Sequence, residues 1–206
     1  MNSSVIAVLR AEHADRYAPV VEVLGNNGVH AIELTLSTPH TLETLSALRQ
    51  SAPEGVEIGV GTVTTVEHAR AAIDLGAAFL VTPITDRQII SVAVDSGVPI
   101  YPGGFTPTEL WAGWSVGATA VKLFPANTVG PDYIAHLRGP FPGIQVVPSG
   151  GIDIDAVPKW LAAGACAVSL GGPLLGDALR GGDLAALATR CRRLAEVTGA
   201  VAVVPR

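Results

Sequence analysis

The sequence predicts one α/β domain spanning residues 1–206, a small (β/α)8 barrel of the TIM type. Two observations carry that prediction. Short, nearly all-apolar runs, each closed by a Pro or Gly stop, alternate with amphipathic helical segments, which is the pattern of parallel strands buried on both faces. Eight such runs follow one another with no change of composition that would mark a linker. A doubly wound open sheet is the alternative arrangement of the same elements.

The runs begin with "VIAVLR" near the start of the chain. After it, seven phrases each open on a glycine: "GVHAIELT" at Gly28, "GVEIGVGT" at Gly55, "GAAFLVTP" at Gly76, "GVPIYPGG" at Gly97, "GATAVKLFP" at Gly117, "GIQVVPSGG" at Gly143 and "GACAVSLGG" at Gly164. Between them lie helical patterns such as "VEHARAAIDLG", "DRQIISVAVDSG" and "TPTELWAGWSVG". Thr106, with Glu109 three residues later, reads as a capping box opening the fifth helix. Arg190, Arg192 and Arg193 read as a solvated helix face.

Composition excludes several classes. A chain of 206 residues with 49% hydrophobic content builds one substantial core and is not disordered. A net charge of -5 without a basic cluster argues against a nucleic-acid surface. Two cysteines, Cys166 and Cys191, are too few for a disulfide framework. "VIAVL" is too short for a signal-peptide core, and the uncharged run from Trp160 to Gly176 is broken by glycines and Pro173, so neither secretion nor a membrane span is expected. The expectation is a soluble cytoplasmic protein. His13, His30, His40, His68 and His136 show no ligand spacing, so no metal is assigned. Ser149 has no nearby His and Asp partners, which leaves a hydrolase triad without support.

In a barrel of this kind the active site lies at the C-terminal ends of the strands. Those ends offer Arg10; Glu33, Thr35 and Ser37; Gly61 and Thr62; Thr82 and Pro83; and the "PGG" at 102–104. They continue with Lys122, Phe124 and Pro125, then "SGG" at 149–151 and "LGG" at 170–172. Lys122 stands out, because it sits inside an apolar strand and a lysine is rarely buried without a purpose. The only other lysine, Lys159, falls in a helical pattern where its ammonium reaches water. An amine in an apolar pocket loses part of its preference for the charged form and becomes a nucleophile near neutral pH, which suits Schiff-base chemistry on a ketone. Each step of that chemistry moves protons, so a carboxylate is needed beside it, and Glu33 inside "HAIELTL" is the candidate. The blander reading is a structural ion pair between the two. The glycine motifs after the last two strands are either tight turns or, as is common in this fold, an anion site.

The residues together resemble the class I, pyruvate-forming aldolases that act on 2-keto-3-deoxy-6-phosphogluconate (KDPG) and 2-keto-4-hydroxyglutarate (KHG). The resemblance runs through "VIAVLR", "GVHAIELTL", "GVGTV", "VTP", "YPGGFTPTE", "AVKLFPA", "GPFPGIQVVPSGG" and "AVSLGG", about 190 residues in all. It implies that Lys122 is the Schiff-base lysine and Glu33 the proton shuttle. Thr62 would hold the pyruvoyl carboxylate, with Pro83 and Phe124 shaping the pocket. The amides of Gly150, Gly151, Gly171 and Gly172 would receive a phosphate or another anionic tail. It further implies a homotrimer that uses no metal and no cofactor, acting on a small keto acid. Two positions depart from the family pattern. Ser37 stands where many members have an arginine near the substrate carboxylate, which Arg10 would partly replace. Gly172, followed by Pro173, stands where members with phosphorylated substrates often have a serine. Three rival functions fit parts of the pattern: a non-covalent phosphate-binding epimerase or synthase, a Schiff-base decarboxylase of a keto diacid, and a barrel that binds a metabolite without turnover.

Overall fold

The computed structural model describes residues 4–199, so positions 1–3 and 200–206 of the expected domain lie outside the described residues. Strands and helices alternate from the start: β1 (Val5–Leu9), α1 (Tyr17–Asn26), β2 (Ala31–Thr35), α2 (Thr41–Ser51), β3 (Glu57–Gly61), α3 (Val66–Asp74), β4 (Leu80–Val81), α4 (Arg87–Asp95) and β5 (Ile100–Tyr101). The chain goes on through β6 (Gly103–Gly104), α5 (Pro107–Trp114), β7 (Val121–Leu123), α6 (Asp132–Arg138), β8 (Val146–Pro148), α7 (Val157–Ala162) and β9 (Val168–Leu170). It then forms α8 (Gly172–Leu175), a 3-10 turn (Ala178–Arg180) and α9 (Leu184–Gly199).

Local chemistry explains where the helices begin. Thr65 accepts from the His68 amide at the head of α3, and Asp86 accepts from the Gln88 and Ile89 amides at the head of α4. At α5 the capping box read from the sequence is present, with Thr106 and Glu109 each accepting from the other's backbone amide and Pro107 in the first turn.

The strands form two wholly parallel sheets. One has the order β5-β4-β3-β2-β1-β9 and the other the order β6-β7-β8. The fold is therefore α/β with parallel sheets, as expected, but the fifth apolar run is not one strand. Pro102 has no N–H to give to a ladder and divides "IYPGG" into β5 and β6. The two sheets are also linked at both margins: the amide of Thr119, just before β7, donates to the Ile100 carbonyl of β5 at 3.1 Å, and at the far side Ser149 and Ser169 form an isolated parallel bridge.

Side chains alternate across each strand, so one face packs against the helices and the other faces inward. The inward faces of both sheets share one cluster that contains Ile6, Ala31, Phe79, Val81, Tyr101, Ala120, Val147 and Ala167. Phe79 and Tyr101 meet edge to face with ring centroids 5.8 Å apart. A Cβ at Gly59 would lie 2.3 Å from the Phe79 ring, so glycine is what admits the phenyl group there. This cluster is the floor beneath the site.

One surface reading is corrected. Arg190 does not share a solvated face with Arg192 and Arg193. It is half-buried and donates to the carbonyls of Leu174 and Leu175 at the end of α8. Arg193 is exposed and pairs with Asp155 at 3.0 Å, while Arg192 is exposed and bonds Thr189. Cys166 and Cys191 form no disulfide, and burial pushes the Cys191 thiol up to about 11. Among the described residues, no helix is long and apolar enough to cross a membrane.

Candidate active site

The site is the next inward layer above the apolar floor. Stepping two residues along each strand from Ile6, Ala31, Val81, Ala120, Val147 and Ala167 leads to Val8, Glu33, Pro83, Lys122, Ser149 and Ser169. All six line a single cavity of about 580 Å³ at the C-terminal ends of the strands. The alternation that makes the floor apolar thus delivers the polar groups to its roof.

Lys122 is 8% exposed and Glu33 1% exposed, with Nζ 4.0 Å from Oε1. Glu33 Oε2 is buried with no hydrogen-bond partner among the described residues. A buried acceptor left in that state costs about 1–3 kcal/mol, which a purely structural ion pair would be expected to avoid. The carboxylate is held from one side by glycine: a Cβ on Gly61 would fall 1.8 Å from Glu33 Oε1. The Phe124 ring, 43% exposed, stands 5.5 Å from Nζ and covers the amine from the mouth of the cavity.

Thr62 follows β3 with φ 59, a left-handed conformation that is costly for a threonine. Arg10, Thr62 and Pro83 line the same cavity as Lys122. So do Gly150 and Gly151, both at positive φ, together with Gly171 and Gly172. A Cβ at Gly150 would meet Phe124 at 3.0 Å, and one at Gly151 would meet Asn127 at 2.4 Å, so this turn is packed against the loop after β7.

The residues given a catalytic or binding role from the sequence, Arg10, Glu33, Thr62, Pro83, Lys122, Phe124 and the four glycines at 150, 151, 171 and 172, all line one cavity, whereas Thr35, Gly61, Thr82, Pro125 and the glycines of the 102–104 motif at the strand ends do not. Nor does Ser37. It is exposed, and its hydroxyl donates to Thr35 Oγ1 at 3.1 Å, outside the cavity wall. Sequence reasoning missed Val8 and Ser169 and took Ser149 as part of the "SGG" turn without a role of its own; alternation in steps of two along each apolar run would have found the inward layer. It also missed Arg180, which carried no signal beyond being an arginine in a short polar loop. No group of three or more His, Cys, Asp or Glu side chains placed to hold a metal occurs among the described residues.

An α/β fold that brings one buried amine and one buried carboxylate together above its strand ends has the groups that covalent carbonyl chemistry of the aldolase class requires. A family model described as KDPG and KHG aldolase matches residues 1–190, and the chain belongs to that family. A probable 2-dehydro-3-deoxy-6-phosphogalactonate aldolase of Rhizobium meliloti is 32% identical over 185 residues, 89% of this chain and 87% of that protein. A 2-dehydro-3-deoxy-phosphogluconate aldolase of Pseudomonas aeruginosa is 33% identical over 159 residues, 77% of this chain and 72% of that protein. The structure of a KDPG aldolase of Legionella pneumophila, with pyruvate captured as a covalent carbinolamine, superposes with a TM-score of 0.85 at 27% identity. It covers 93% of this chain and 94% of that one.

Proposed function

We propose that this chain reversibly cleaves a 2-keto-3-deoxy-4-hydroxy acid to pyruvate and an aldehyde, with Lys122 as the Schiff-base nucleophile and Glu33 as the acid-base group. The observation that carries this reading is the buried Lys122–Glu33 pair, 4.0 Å apart, with a carboxylate oxygen left free. The neutral Lys122 amine attacks the C2 ketone to give a carbinolamine, which loses water to an iminium. Glu33 takes the proton of the C4 hydroxyl, the electrons of the C3–C4 bond move into the iminium, and the aldehyde departs. The same carboxyl returns its proton to C3 of the enamine, and water hydrolyses the pyruvyl iminium to free the amine.

The supporting roles are taken from the likeness to the family, and the residues that carry them line the same cavity. Thr62 holds the pyruvoyl carboxylate, Arg10 adds positive charge, and Pro83 and Phe124 give the pocket its shape. The backbone of Gly150, Gly151, Gly171 and Gly172 faces the tail of the substrate. Relatives named for both the gluconate and the galactonate acids support a sugar-acid substrate of this class. The contacts at both sheet margins support closure of the described strands into a (β/α)8 barrel, and the reading takes the chain as one such domain. A cytoplasmic homotrimer without metal or cofactor completes the reading, by likeness to the family.

Borohydride reduction in the presence of pyruvate tests it. A reduced pyruvyl adduct on Lys122 and none on Lys159, located by peptide mass spectrometry, is the expected result. Lys122→Arg keeps a charge but forms no imine, so it should give neither adduct nor turnover. An unmodified Lys122 in the wild type, under conditions that trap another Schiff-base enzyme, sinks the covalent mechanism.

A further inference from the structure

We propose that Arg180 binds an anionic group on the aldehyde half of the substrate and sets the preference of the site for charged over uncharged aldehydes. The inference rests on the aldolase reading above and adds a residue to it. Four charged side chains line the cavity: Arg10, Lys122 and Arg180 against Glu33. Lys122 and Glu33 offset each other, which leaves a wall of net charge about +2 from its two arginines, counted at neutral pH, in a chain whose net charge is -5. Neither Arg10 nor Arg180 makes an ion pair or a hydrogen bond through its side chain with any described residue. One arginine suffices for the carboxylate of a keto acid. The second calls for a second anion.

The position of Arg180 says which end of the substrate carries that anion. It closes the 3-10 turn Ala178–Arg180, two residues beyond α8, which starts at Gly172 with Gly171 as its N-cap, the two glycines of the "LGG" motif. That motif is poor in donors. Pro173 follows Gly172, and a proline brings neither an N–H nor a hydroxyl, so beyond the glycine amides the turn has nothing to offer an anion. A guanidinium reaching the same cavity wall supplies a planar fork of donors that fits a phosphate or a carboxylate two bonds at a time. The loop that carries Arg180 is fixed from behind. Arg190 holds the Leu174 and Leu175 carbonyls, and the Arg180 amide donates to the Asp177 carbonyl at 2.8 Å, so the backbone of the turn is set while the side chain stays available.

The test is aldol addition of pyruvate to three electrophiles, glyceraldehyde 3-phosphate, glyoxylate and glyceraldehyde, by wild type, Arg180→Gln and Arg180→Lys. In Arg180→Gln, the ratio of kcat/KM for an anionic aldehyde to that for glyceraldehyde should fall about tenfold to a hundredfold, through KM, as loss of a charged hydrogen-bond pair predicts. Arg180→Lys should recover part of the ratio, since it restores charge without the fork. A fall confined to glyceraldehyde 3-phosphate assigns the site to phosphate, and one confined to glyoxylate assigns it to carboxylate. An equal loss with all three aldehydes, or no change in either ratio, overturns the proposal. Wild-type trapping of pyruvate on Lys122 is scored separately, so the Schiff-base reading can fail or stand independently of Arg180.

Discussion

Glu33 depends on what its neighbours lack. Its carboxylate occupies the space where a Cβ of residue 61 would be, and that one atom separates a working geometry from a displaced one. Gly61→Ala would force the Glu33 side chain aside, because strand β3 is hydrogen-bonded on both sides and has little freedom to move. Misplacing an acid-base group by about 1 Å costs on the order of a hundredfold in rate. Gly61→Ala should therefore lower kcat about a hundredfold while Lys122 still traps pyruvate under borohydride. Wild-type kcat in a folded Gly61→Ala protein would remove Glu33 from the proton-transfer steps. Thr62, the next residue, makes the related point, since a threonine held at φ 59 is a strained conformation retained within the cavity wall.

At the scale of elements, arginine forks tie several strand-connecting turns to the helices beside them. Arg49 donates to the Leu75 carbonyl, Arg138 to the Gly164 carbonyl at 2.7 Å and Arg190 to the carbonyls that end α8. At Gly76 and Gly164 a side chain would collide with the guanidinium that crosses it, at 2.3 Å and 2.0 Å from the nearest nitrogen. Positive φ at both positions adds a second reason for glycine, which accounts for the glycine that opens these two strand phrases. The α5 capping box is an element with a pH signature. Backbone amides of Thr106 and Phe105, followed by the Thr106 hydroxyl, hold the Glu109 carboxyl below the usual carboxylate range. A carboxyl depressed in the folded state adds stability above its unfolded pKa, and that stability disappears as pH falls through the folded value. The wild type should thus exceed Glu109→Gln in urea-denaturation stability at about pH 6, and the gap should narrow progressively as pH falls below the ordinary carboxylate range of about 4. A gap that stays constant over that range would mean the box acts through shape alone.

The whole molecule brings residues from two sheets to one point, and this governs both what could be read in advance and what binding should do. Lys122 and Glu33 were legible because a charge inside an apolar run is expensive and has few bland explanations. The parallel α/β order was legible for the same kind of reason, from runs apolar on both faces. Arg180 was not, since an exposed arginine in a loop looks the same whether it faces a cavity or bulk water. Arg190 was misread because helical periodicity gives the side of a helix and says nothing of the carbonyls packed against it. The split at Pro102 is visible in "IYPGG", where a proline without an N–H interrupts the apolar run. In the folded chain Lys122 belongs to the three-stranded sheet, whereas Glu33 and Thr62 belong to or follow strands of the six-stranded one. A pyruvyl group bound covalently at Lys122 and held through its carboxylate at Thr62 would span both, so neither sheet could unfold without losing it. Ligand at a hundredfold excess over its dissociation constant stabilises the native state by about 2.7 kcal/mol, which for a domain of this size raises Tm by about 5 °C or more. Pyruvate should therefore shift the entire unfolding transition of the wild type upward in one step, and Lys122→Arg should show no comparable shift. An equal shift in that variant would mean that pyruvate is held without the lysine bond, and a shift limited to part of a biphasic transition would mean that the two sheets do not unfold as one body.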